Sequence, residues 1–209
     1  MAPRRGSMGA MRVAAIVLAA GEGRRMGGPK ALVPLRDGTF ASLVVSSFAR
    51  AHVAAQIVVL GAEAERVAAN GVWPPGVSLV VNRRWAEGML TSVWAGLDAA
   101  ESLGVDAVLL HPVDNPLVDE ATVTAVLGAL ARGATIAVAS HGGRRGHPAG
   151  FARAAWPALR AAALEGGARS VLADHPDWVV HVPTGPDCLA DIDTPEALEA
   201  LRHRLDSGR

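Results

Sequence analysis

Residues 18–30 read LAAGEGRRMGGPK and follow directly on the apolar run VAAIV at 13–17. Four glycines make this segment flexible and let backbone N–H groups approach anionic oxygens, while Arg24, Arg25 and Lys30 add fixed positive charge. Such cations neutralise phosphate charges that would otherwise repel one another. We therefore predict a strand that ends in a triphosphate-binding loop. A surface loop with solvated charges is the alternative interpretation.

Two well-known glycine loops fit this spacing less well. The dinucleotide-binding pattern G-x-G-x-x-G is met only by Gly21 and Gly23, because the third glycine comes one residue late. That pattern also needs an acidic residue roughly 20 positions on, and the next strand-like run, at 56–61, begins too far downstream. A P-loop needs G-x-x-x-x-G-K-[ST], whereas here Pro29 precedes the lysine and Ala31 replaces the hydroxyl residue.

The composition limits the class of protein and its partners. The 209 residues suffice for one α/β domain, which we assign to 12–209, after a lead at 1–11 that we expect to be disordered. Acidic and basic residues number 20 each, so no basic excess supports nucleic acid as a partner. A single cysteine, Cys188, excludes an internal disulfide, and no apolar run reaches the roughly 20 residues of a membrane span. We expect a soluble, cytoplasmic protein.

Apolar runs bounded by turn residues alternate with helical patterns along most of the chain. This alternation is typical of a mainly parallel sheet with crossover helices, so the predicted class is α/β. The segment HGGRRGHP at 141–148 is predicted to be a loop. Strands are predicted at 12–20, 57–61, 77–82, 105–111, 135–140 and 178–182, and helices at 41–54, 64–70, 89–103, 120–131, 152–164 and from 195.

Two acidic segments follow predicted strands. Asp114, in HPVDNP, comes just after a fully apolar strand, at the carboxyl end of the sheet where open α/β sheets bind ligands. It is either a turn-capping residue or a metal ligand. Asp191 and Asp193, in DIDTP, offer a second carboxylate, although Asp193 or Thr194 before Pro195 also fits an ordinary helix N-cap. Two carboxylates beside a triphosphate loop would suit Mg²⁺.

Two further segments carry polar groups that could face a ligand. Gly88 precedes a predicted helix whose first turn contains Ser92, which either contacts a ligand or caps the helix. Arg145 and His147 lie in one predicted loop, either as a cradle for a second anionic substrate or as turn residues. The sequence has neither Ser-His-Asp order nor His/Cys clusters with zinc spacing. A protein nucleophile is therefore not required.

Taken in order, these motifs resemble those of the MobA-like nucleotidyltransferases, particularly the molybdenum cofactor cytidylyltransferase branch. The resemblance covers about residues 13–201, and several motifs in the family's order are far more specific than any one of them. The matches are LAAG at 18–21 with RMG at 25–27 and Lys30, the N-x-x-W-x-x-G-M-x-x-S positions Asn82, Trp85, Gly88, Met89 and Ser92, D-x-P at Asp114 and Pro116, RGHP at 145–148, GAR at 167–169 and DIDTP at 191–195.

The resemblance implies a Rossmann-like three-layer nucleotidyltransferase fold with a mainly parallel, mixed sheet. It implies Mg²⁺-dependent transfer of a nucleoside monophosphate from an NTP to the phosphate of molybdopterin, with loss of pyrophosphate, and a molybdoenzyme as recipient of the product. Arg25, Lys30 and Asp114 would be catalytic, and Asp114 and Asp193 would bind the metal. Nucleotide contacts are implied for Leu18, Ala19, Ala20, Gly21, Gly23, Arg25, Lys30, Asn82, Gly88 and Ser92, and acceptor contacts for Trp85, Met89, Arg145, His147 and Arg169.

Three positions bear on how far the family's properties apply to this chain, and three alternative functions remain open. Gly23 stands where the family usually has serine, and Asn115 where glutamine is common. Ala20 favours CTP, because its methyl group would crowd the extra amino group of guanine. The alternatives are a nucleotidyltransferase for another phosphorylated acceptor such as a sugar phosphate, a non-catalytic nucleotide-binding chaperone for molybdoenzyme maturation, and a dinucleotide oxidoreductase.

Overall fold

The computed structural model describes residues 11–207, so the lead expected at 1–11 lies, apart from Met11, outside the described residues. The strands are β1 (Val13–Ala19), β2 (Pro34–Leu35), β3 (Gly38–Thr39), β4 (Ala55–Leu60), β5 (Val77–Val81), β6 (Ala107–Pro112), β7 (Ile136–His141), β8 (Arg144–Ala152) and β9 (Val179–Pro183). Seven of them form one sheet in the order β5-β4-β1-β6-β8-β7-β9, and β2 and β3 form a small hairpin. Within the seven-stranded sheet only β8 runs antiparallel to its neighbours, which confirms the mainly parallel, mixed sheet.

Helices cover both faces of this sheet and give the protein its three layers. They are α1 (Phe40–Arg50), α2 (Ala64–Asn70), α3 (Met89–Ser102), α4 (Glu120–Ala131), α5 (Trp156–Ala161), α6 (Gly167–Asp174) and α7 (Pro195–Ser207). Side chains alternate along β1, because successive residues of a strand point to opposite faces. Ala15 and Val17 enter the buried cluster beneath α1 and α4, whereas Ala14 and Ile16 enter the cluster beneath α3 and α5. A strand buried on both faces explains why this run is apolar throughout.

Local capping signals fix where several helices begin. The Thr39 side chain accepts a hydrogen bond from the Ser42 N–H and the Ser42 hydroxyl accepts one from the Thr39 N–H, a reciprocal cap that starts α1. Asp119 accepts from the Thr122 N–H and starts α4 at the predicted residue. Helix α1 ends at Arg50, earlier than the predicted 54. His52 follows it with φ 56°, in the left-handed region that non-glycine residues rarely adopt.

The prediction of a loop at 141–148 followed by a helix at 152–164 is wrong. Residues 144–152 form strand β8, which pairs with both β6 and β7, and α5 covers only Trp156–Ala161. The glycines and the proline of RRGHPAG suggested a loop, but the β7–β8 ladder shifts register between Val138 and Ser140 and so accommodates them. Gly150 is needed for packing, because a Cβ there would lie 2.8 Å from the Leu130 side chain of α4.

Within residues 11–207, no helix has both the length and the apolar character that crossing a membrane would require.

Candidate active site

Three segments distant in sequence meet at the carboxyl edge of the parallel strands. These are the glycine loop that follows β1, the turn that follows β6, and the segment that leads into α7. The Val113 N–H donates to the Leu18 carbonyl at 3.1 Å, which ties the turn to the end of β1. The Ile192 N–H donates to the Asp114 carbonyl at 2.7 Å, which ties the third segment to the same turn. Backbone contacts therefore set the geometry before any side chain is considered.

Lys30 is the point where these segments converge. Its Nζ donates to Asp114 Oδ2 at 2.8 Å and to Asp193 Oδ1, and its side chain is only 14% exposed. Arg25 Nη2 lies 3.4 Å from the same Asp193 oxygen. Burial alone would lower the pKa of Lys30, but the hydrogen bonds to both carboxylates outweigh it and raise that pKa. The Lys30 hydrogen bond lowers the pKa of Asp193 in turn.

The two carboxylates form a donor set that suits Mg²⁺. Asp114 and Asp193 direct oxygens towards a single point, now contacted by the Lys30 ammonium. Among the residues that the structure describes, no three His, Cys, Asp or Glu side chains form a metal-binding group. Mg²⁺ needs only one or two carboxylates when substrate phosphates and water complete its octahedron. This donor set therefore fits Mg²⁺ held jointly with a triphosphate, and metal binding stays a prediction.

The glycine loop presents a row of backbone donors. Across the described chain, the amide N–H groups of residues 21–25 donate to no backbone or side-chain acceptor. The loop keeps its shape through the Gly23 carbonyl, which accepts from the Met26 N–H at 2.8 Å and from the Gly28 N–H at 3.3 Å. Successive free N–H groups of this kind form a concave anion-binding surface. Arg25 lies at the rim of this surface and is mostly exposed, so a phosphate could contact both its guanidinium and the free N–H groups.

Gly23 has a structural reason to depart from the family's serine. Its φ is 64°, in the left-handed region, and a Cβ built on it would lie 1.9 Å from the Gly28 carbonyl oxygen. No side chain fits there unless the loop backbone moves. A serine at this position would therefore require the loop backbone to take a different shape from the one seen here.

Asn82 and Ser92, both predicted to contact nucleotide, lie buried against each other. Asn82 Nδ2 donates to Thr91 Oγ1 at 2.8 Å and to Ser92 Oγ at 3.0 Å, and its Oδ1 accepts from the Arg84 N–H at 2.9 Å. Their exposures are 6% and 2%. These bonds fasten the end of β5 to the first turn of α3, which begins after Gly88 at φ 127°. The geometry gives both side chains a positioning role, and direct nucleotide contact stays a prediction.

Ala20 packs between the ends of β1 and β4. Its carbonyl accepts from the Ala62 N–H at 2.9 Å, and the residue is only 7% exposed. A Cβ built on Gly61 would lie 2.7 Å from the Ala20 methyl and 2.5 Å from Trp85 Cβ. Trp85, predicted to contact the acceptor, therefore packs by the ends of β1 and β4, and it does not line the cavity described next.

A cavity of about 740 Å³ opens beside the carboxylates, between the sheet, α3 and α6. This volume is typical of sites for small organic ligands. Its mouth includes Asp114 and Asp193, and its walls include three predicted acceptor residues, Arg145, His147 and Arg169, with Met89 at the rim. The floor is apolar and consists of Leu18, Leu90, Val93, Leu110, Val138, Ala149, Phe151 and Leu172. Leu18, predicted to contact the nucleotide, thus lines the predicted acceptor side.

His147 enters this cavity from β8, not from a loop. Burial lowers the pKa of its imidazole, while the nearby carboxylates of Asp191 and Asp114 partly offset that effect. The ring is therefore neutral at neutral pH. Arg145 and Arg169 are the cationic groups of the wall, and both are exposed. The wall combines two fixed positive charges with a neutral donor and acceptor.

One buried residue behind the site escaped the sequence reasoning. His111, the fifth residue of β6, is completely buried, and its Nε2 lies 2.8 Å from the Asn115 carbonyl oxygen in the Asp114 turn. Its ring packs edge-on against Phe48 and His147, with centroids 5.4 and 6.0 Å away. The only sequence signal was a polar residue at the end of an otherwise apolar strand. Residues 164–166, which also line the cavity, belonged to none of the motifs.

Comparisons with known proteins agree with this architecture. A nucleotidyl transferase from Methanothermobacter thermautotroptrophicus superposes with a TM-score of 0.76, at 22% identity over 95% of this chain and 99% of that chain. The molybdenum cofactor guanylyltransferase of Rhodobacter capsulatus is 31% identical over 93% of this chain and 97% of its own. Nicotine blue oxidoreductase of Paenarthrobacter nicotinovorans is 32% identical over 90% and 96%.

The fold and the site thus define a three-layer α/β protein of the nucleotidyltransferase type. Residues 15–179 match the MobA-like NTP transferase domain. The chain belongs to that family, as the motif order predicted. Neither the cytidylyl branch nor the roles of single site residues follow from this membership, since relatives of similar identity carry names from two different chemistries.

Proposed function

We propose that this protein transfers CMP from CTP to the terminal phosphate of molybdopterin or its molybdenum form, with release of pyrophosphate. The observation that carries the proposal is the meeting of Lys30 with Asp114 and Asp193 at the mouth of the cavity, directly beside a loop with free N–H groups. A triphosphate needs that concentration of donors and charge, and a second substrate needs the cavity. The guanylyltransferase from Rhodobacter capsulatus supports the choice of acceptor.

The reaction would be an in-line substitution at the α-phosphorus of the nucleotide. An oxygen of the acceptor phosphate forms the new P–O bond, and the bond from the α-phosphorus to its bridging oxygen breaks, so pyrophosphate leaves with that electron pair. Free N–H groups at 21–25 and the Arg25 guanidinium bind the phosphates of the leaving group. Lys30 moves its ammonium from the carboxylates towards the triphosphate. Positioning and charge stabilisation account for catalysis, since no covalent step on the protein is needed.

Asp114 and Asp193 would hold Mg²⁺ together with the phosphates. The ion would neutralise charge on the α-phosphate and the attacking oxygen. The acceptor phosphate would lie near Arg145 and Arg169, with the rest of the acceptor against the apolar floor of the cavity. A large apolar floor favours a ring system over a sugar phosphate, which would bury hydroxyl groups without partners there.

The choice of CTP over GTP rests on Ala20. Its methyl group packs against Gly61 at the strand ends, where the base would lie, and leaves less room for the larger guanine. Discrimination of this steric kind is worth about 1–3 kcal/mol, or roughly 10- to 200-fold. Ala20→Gly should therefore raise GTP use and leave CTP use nearly unchanged.

An oxidoreductase is the second candidate, because a relative with that name is as similar as the guanylyltransferase. One structural observation also bears on it. Glu63 follows β4, the strand next to β1, as the ribose-binding acid of a dinucleotide-binding fold would, but it lies much further along the chain from the glycine loop than that fold's spacing requires. Here Glu63 Oε2 accepts a hydrogen bond from Arg66 at 2.7 Å, which occupies that carboxylate.

One set of assays separates these functions. The protein is incubated with each of the four NTPs, Mg²⁺ and molybdopterin or its molybdenum form, and pyrophosphate is measured; a sugar phosphate replaces the acceptor in a parallel series. We expect acceptor-dependent pyrophosphate with CTP and a relaxed CTP:GTP ratio of kcat/KM in Ala20→Gly. A wild-type preference for GTP would refute the base assignment. Turnover only with the sugar phosphate would refute the acceptor, and NADH or NADPH oxidation without pyrophosphate would replace the proposal by the second candidate.

A further inference from the structure

The nucleotide-free protein has its own counter-ions at the two carboxylates that we propose as metal ligands. Lys30 Nζ donates to Asp114 Oδ2 at 2.8 Å and also to Asp193 Oδ1, so one ammonium bridges both groups. Arg25 Nη2 lies 3.4 Å from the same Asp193 oxygen. Two negative charges thus face two positive charges, and the four side chains carry no net formal charge. A bare pair of carboxylates attracts a divalent cation much more strongly than this balanced group does.

The two cations of this group are held differently. The Lys30 side chain is 14% exposed and contacts both carboxylates, whereas the Arg25 side chain is 67% exposed and contacts one. Water and salt screen an exposed guanidinium far more than a largely buried ammonium. Lys30 therefore provides most of the repulsion that an incoming dication meets. A metal ion that bridged these two carboxylate oxygens would also need the position that the ammonium holds.

A bound triphosphate would reverse this balance. Its oxygens would give Lys30 and Arg25 new anionic partners next to the free N–H groups of residues 21–25. The two carboxylates would then lose their counter-ions just as phosphate oxygens arrive as further ligands. Mg²⁺ prefers such a mixed set of one or two carboxylates, phosphate oxygens and water. Without a nucleotide, the ion would have to displace the ammonium and would gain no phosphate ligand in return.

We propose that Lys30 holds the place of the metal ion in the nucleotide-free protein, so that a divalent cation binds only together with a nucleotide. The donor substrate is then the metal–nucleotide complex. This inference rests on the proposed function in taking a nucleoside triphosphate as the donor, whichever base it carries. The family resemblance implies contacts of Lys30 with the nucleotide, and the role at the carboxylates before the nucleotide arrives is additional to those contacts.

The proposal is tested by titrating the nucleotide-free protein with Mn²⁺, which suits carboxylate ligands and loses its free-ion EPR signal on binding. The wild type should bind Mn²⁺ weakly. Lys30→Met removes the charge but keeps a long flexible side chain, and it should bind Mn²⁺ at least about tenfold more tightly. Lys30→Arg keeps the charge and should stay within about threefold of the wild type. Arg25→Met should gain less than Lys30→Met, because the exposed guanidinium is already screened.

A double variant locates the site that Lys30→Met opens. Adding Asp114→Asn to Lys30→Met should abolish the gain in Mn²⁺ affinity, whereas adding Asp98→Asn, at an exposed acid on α3, should preserve it. Thermal unfolding checks that each variant is folded, and Lys30→Gln is a second neutral variant if Lys30→Met is not. The proposal is overturned if the folded neutral variant binds Mn²⁺ no more tightly than the wild type, or if the gain survives Asp114→Asn.

The wild type provides a further check by itself. Stoichiometric loss of the Mn²⁺ signal in nucleotide-free wild-type protein would overturn the proposal, because the site would then be open with Lys30 in place. None of these titrations contains a nucleotide or an acceptor, so their outcome depends on neither the base nor turnover. A failure of the proposed function would appear only in the pyrophosphate assays, and the two failures are distinguishable.

Discussion

Restoring the family's serine at Gly23 should damage this protein. Gly23 has φ 64°, and any Cβ there would lie 1.9 Å from the Gly28 oxygen, whereas about 3 Å is the least that such a contact tolerates. A left-handed non-glycine residue costs roughly 1–2 kcal/mol. Displacing Gly28 to relieve the collision endangers the 3.3 Å bond from its N–H to the Gly23 oxygen, and loss of that bond would cost about 1 kcal/mol. The sum is roughly 2–3 kcal/mol.

The loop contains its own controls. Gly27 has φ 74° but open space around a Cβ, so Gly27→Ala carries the backbone strain without the collision. Gly21 has open space and no positive φ, so Gly21→Ala carries neither. If the loop must adopt this shape to bind a triphosphate, Gly23→Ser and Gly23→Ala should weaken nucleotide affinity by roughly 30- to 150-fold. Gly27→Ala should lose roughly five- to thirtyfold.

Isothermal titration with CTP and Mg²⁺ measures these affinities, and thermal unfolding checks the fold. Gly21, Gly23 and Gly27 belong to neither buried cluster, so all four variants should keep a melting temperature close to that of the wild type. The reasoning is refuted if Gly23→Ala binds CTP as tightly as Gly27→Ala, since the collision would then have no consequence. Tighter binding by Gly23→Ser would show that the missing hydroxyl, and not the loop shape, limits the affinity.

Three further predictions concern charge. Lys30→Ala should keep the fold but reduce kcat/KM at least about 100-fold, because a cation that meets the triphosphate is lost; near-normal turnover would contradict that role. Asp114→Asn should raise the Mg²⁺ midpoint and lower kcat together, and an unchanged midpoint would reassign Asp114 to capping the turn. Burial lowers the pKa of His111 from 6.5 to about 3, so its contribution is complete above pH 6.5 and is lost as the pH falls towards 3. Urea unfolding should therefore show about 2 kcal/mol lost at pH 5 from this residue, and the decline should be flatter in His111→Leu; equal declines would refute the assignment.

The sequence predicted the sheet well because its central strands are buried on both faces, and unbroken apolar runs mark such strands. It failed at β8, where Gly146, Pro148 and Gly150 signal a turn. A cavity wall and a tightly packed helix require those residues in a strand, and local sequence does not reveal either constraint. This failure also explains why His147 and Arg145 were assigned to a loop.

The charged site was likewise predictable where local motifs determine it and unpredictable where tertiary contacts do. Lys30, Asp114 and Asp193 were predicted to act together because two carboxylates beside a triphosphate loop would suit Mg²⁺ and because the family resemblance implies those roles. Their direct ion pairs were not predictable, since pairing depends on side-chain reach across 163 residues of chain. Asn82 and Ser92 show the opposite case: residues that match a ligand-binding motif can lie buried and bond each other. His111 left no periodic or motif signal, because among residues 11–207 its hydrogen-bond partner is a backbone carbonyl, which any residue type supplies.

The ion pairs of Lys30 have a consequence for how the molecule fluctuates. One ammonium joins the glycine loop, the turn after β6 and the approach to α7. Detaching the loop would leave the Asp114 and Asp193 carboxylates close together without the Lys30 ammonium, and detaching either other segment would remove one of the two partners of Lys30. Such elements open together as one cooperative unit, with similar hydrogen-exchange rates, instead of fraying separately. A bound phosphate that drew the ammonium away would cut that link, and only backbone hydrogen bonds such as those from Val113 to Leu18 and from Ile192 to Asp114 would still hold the segments together.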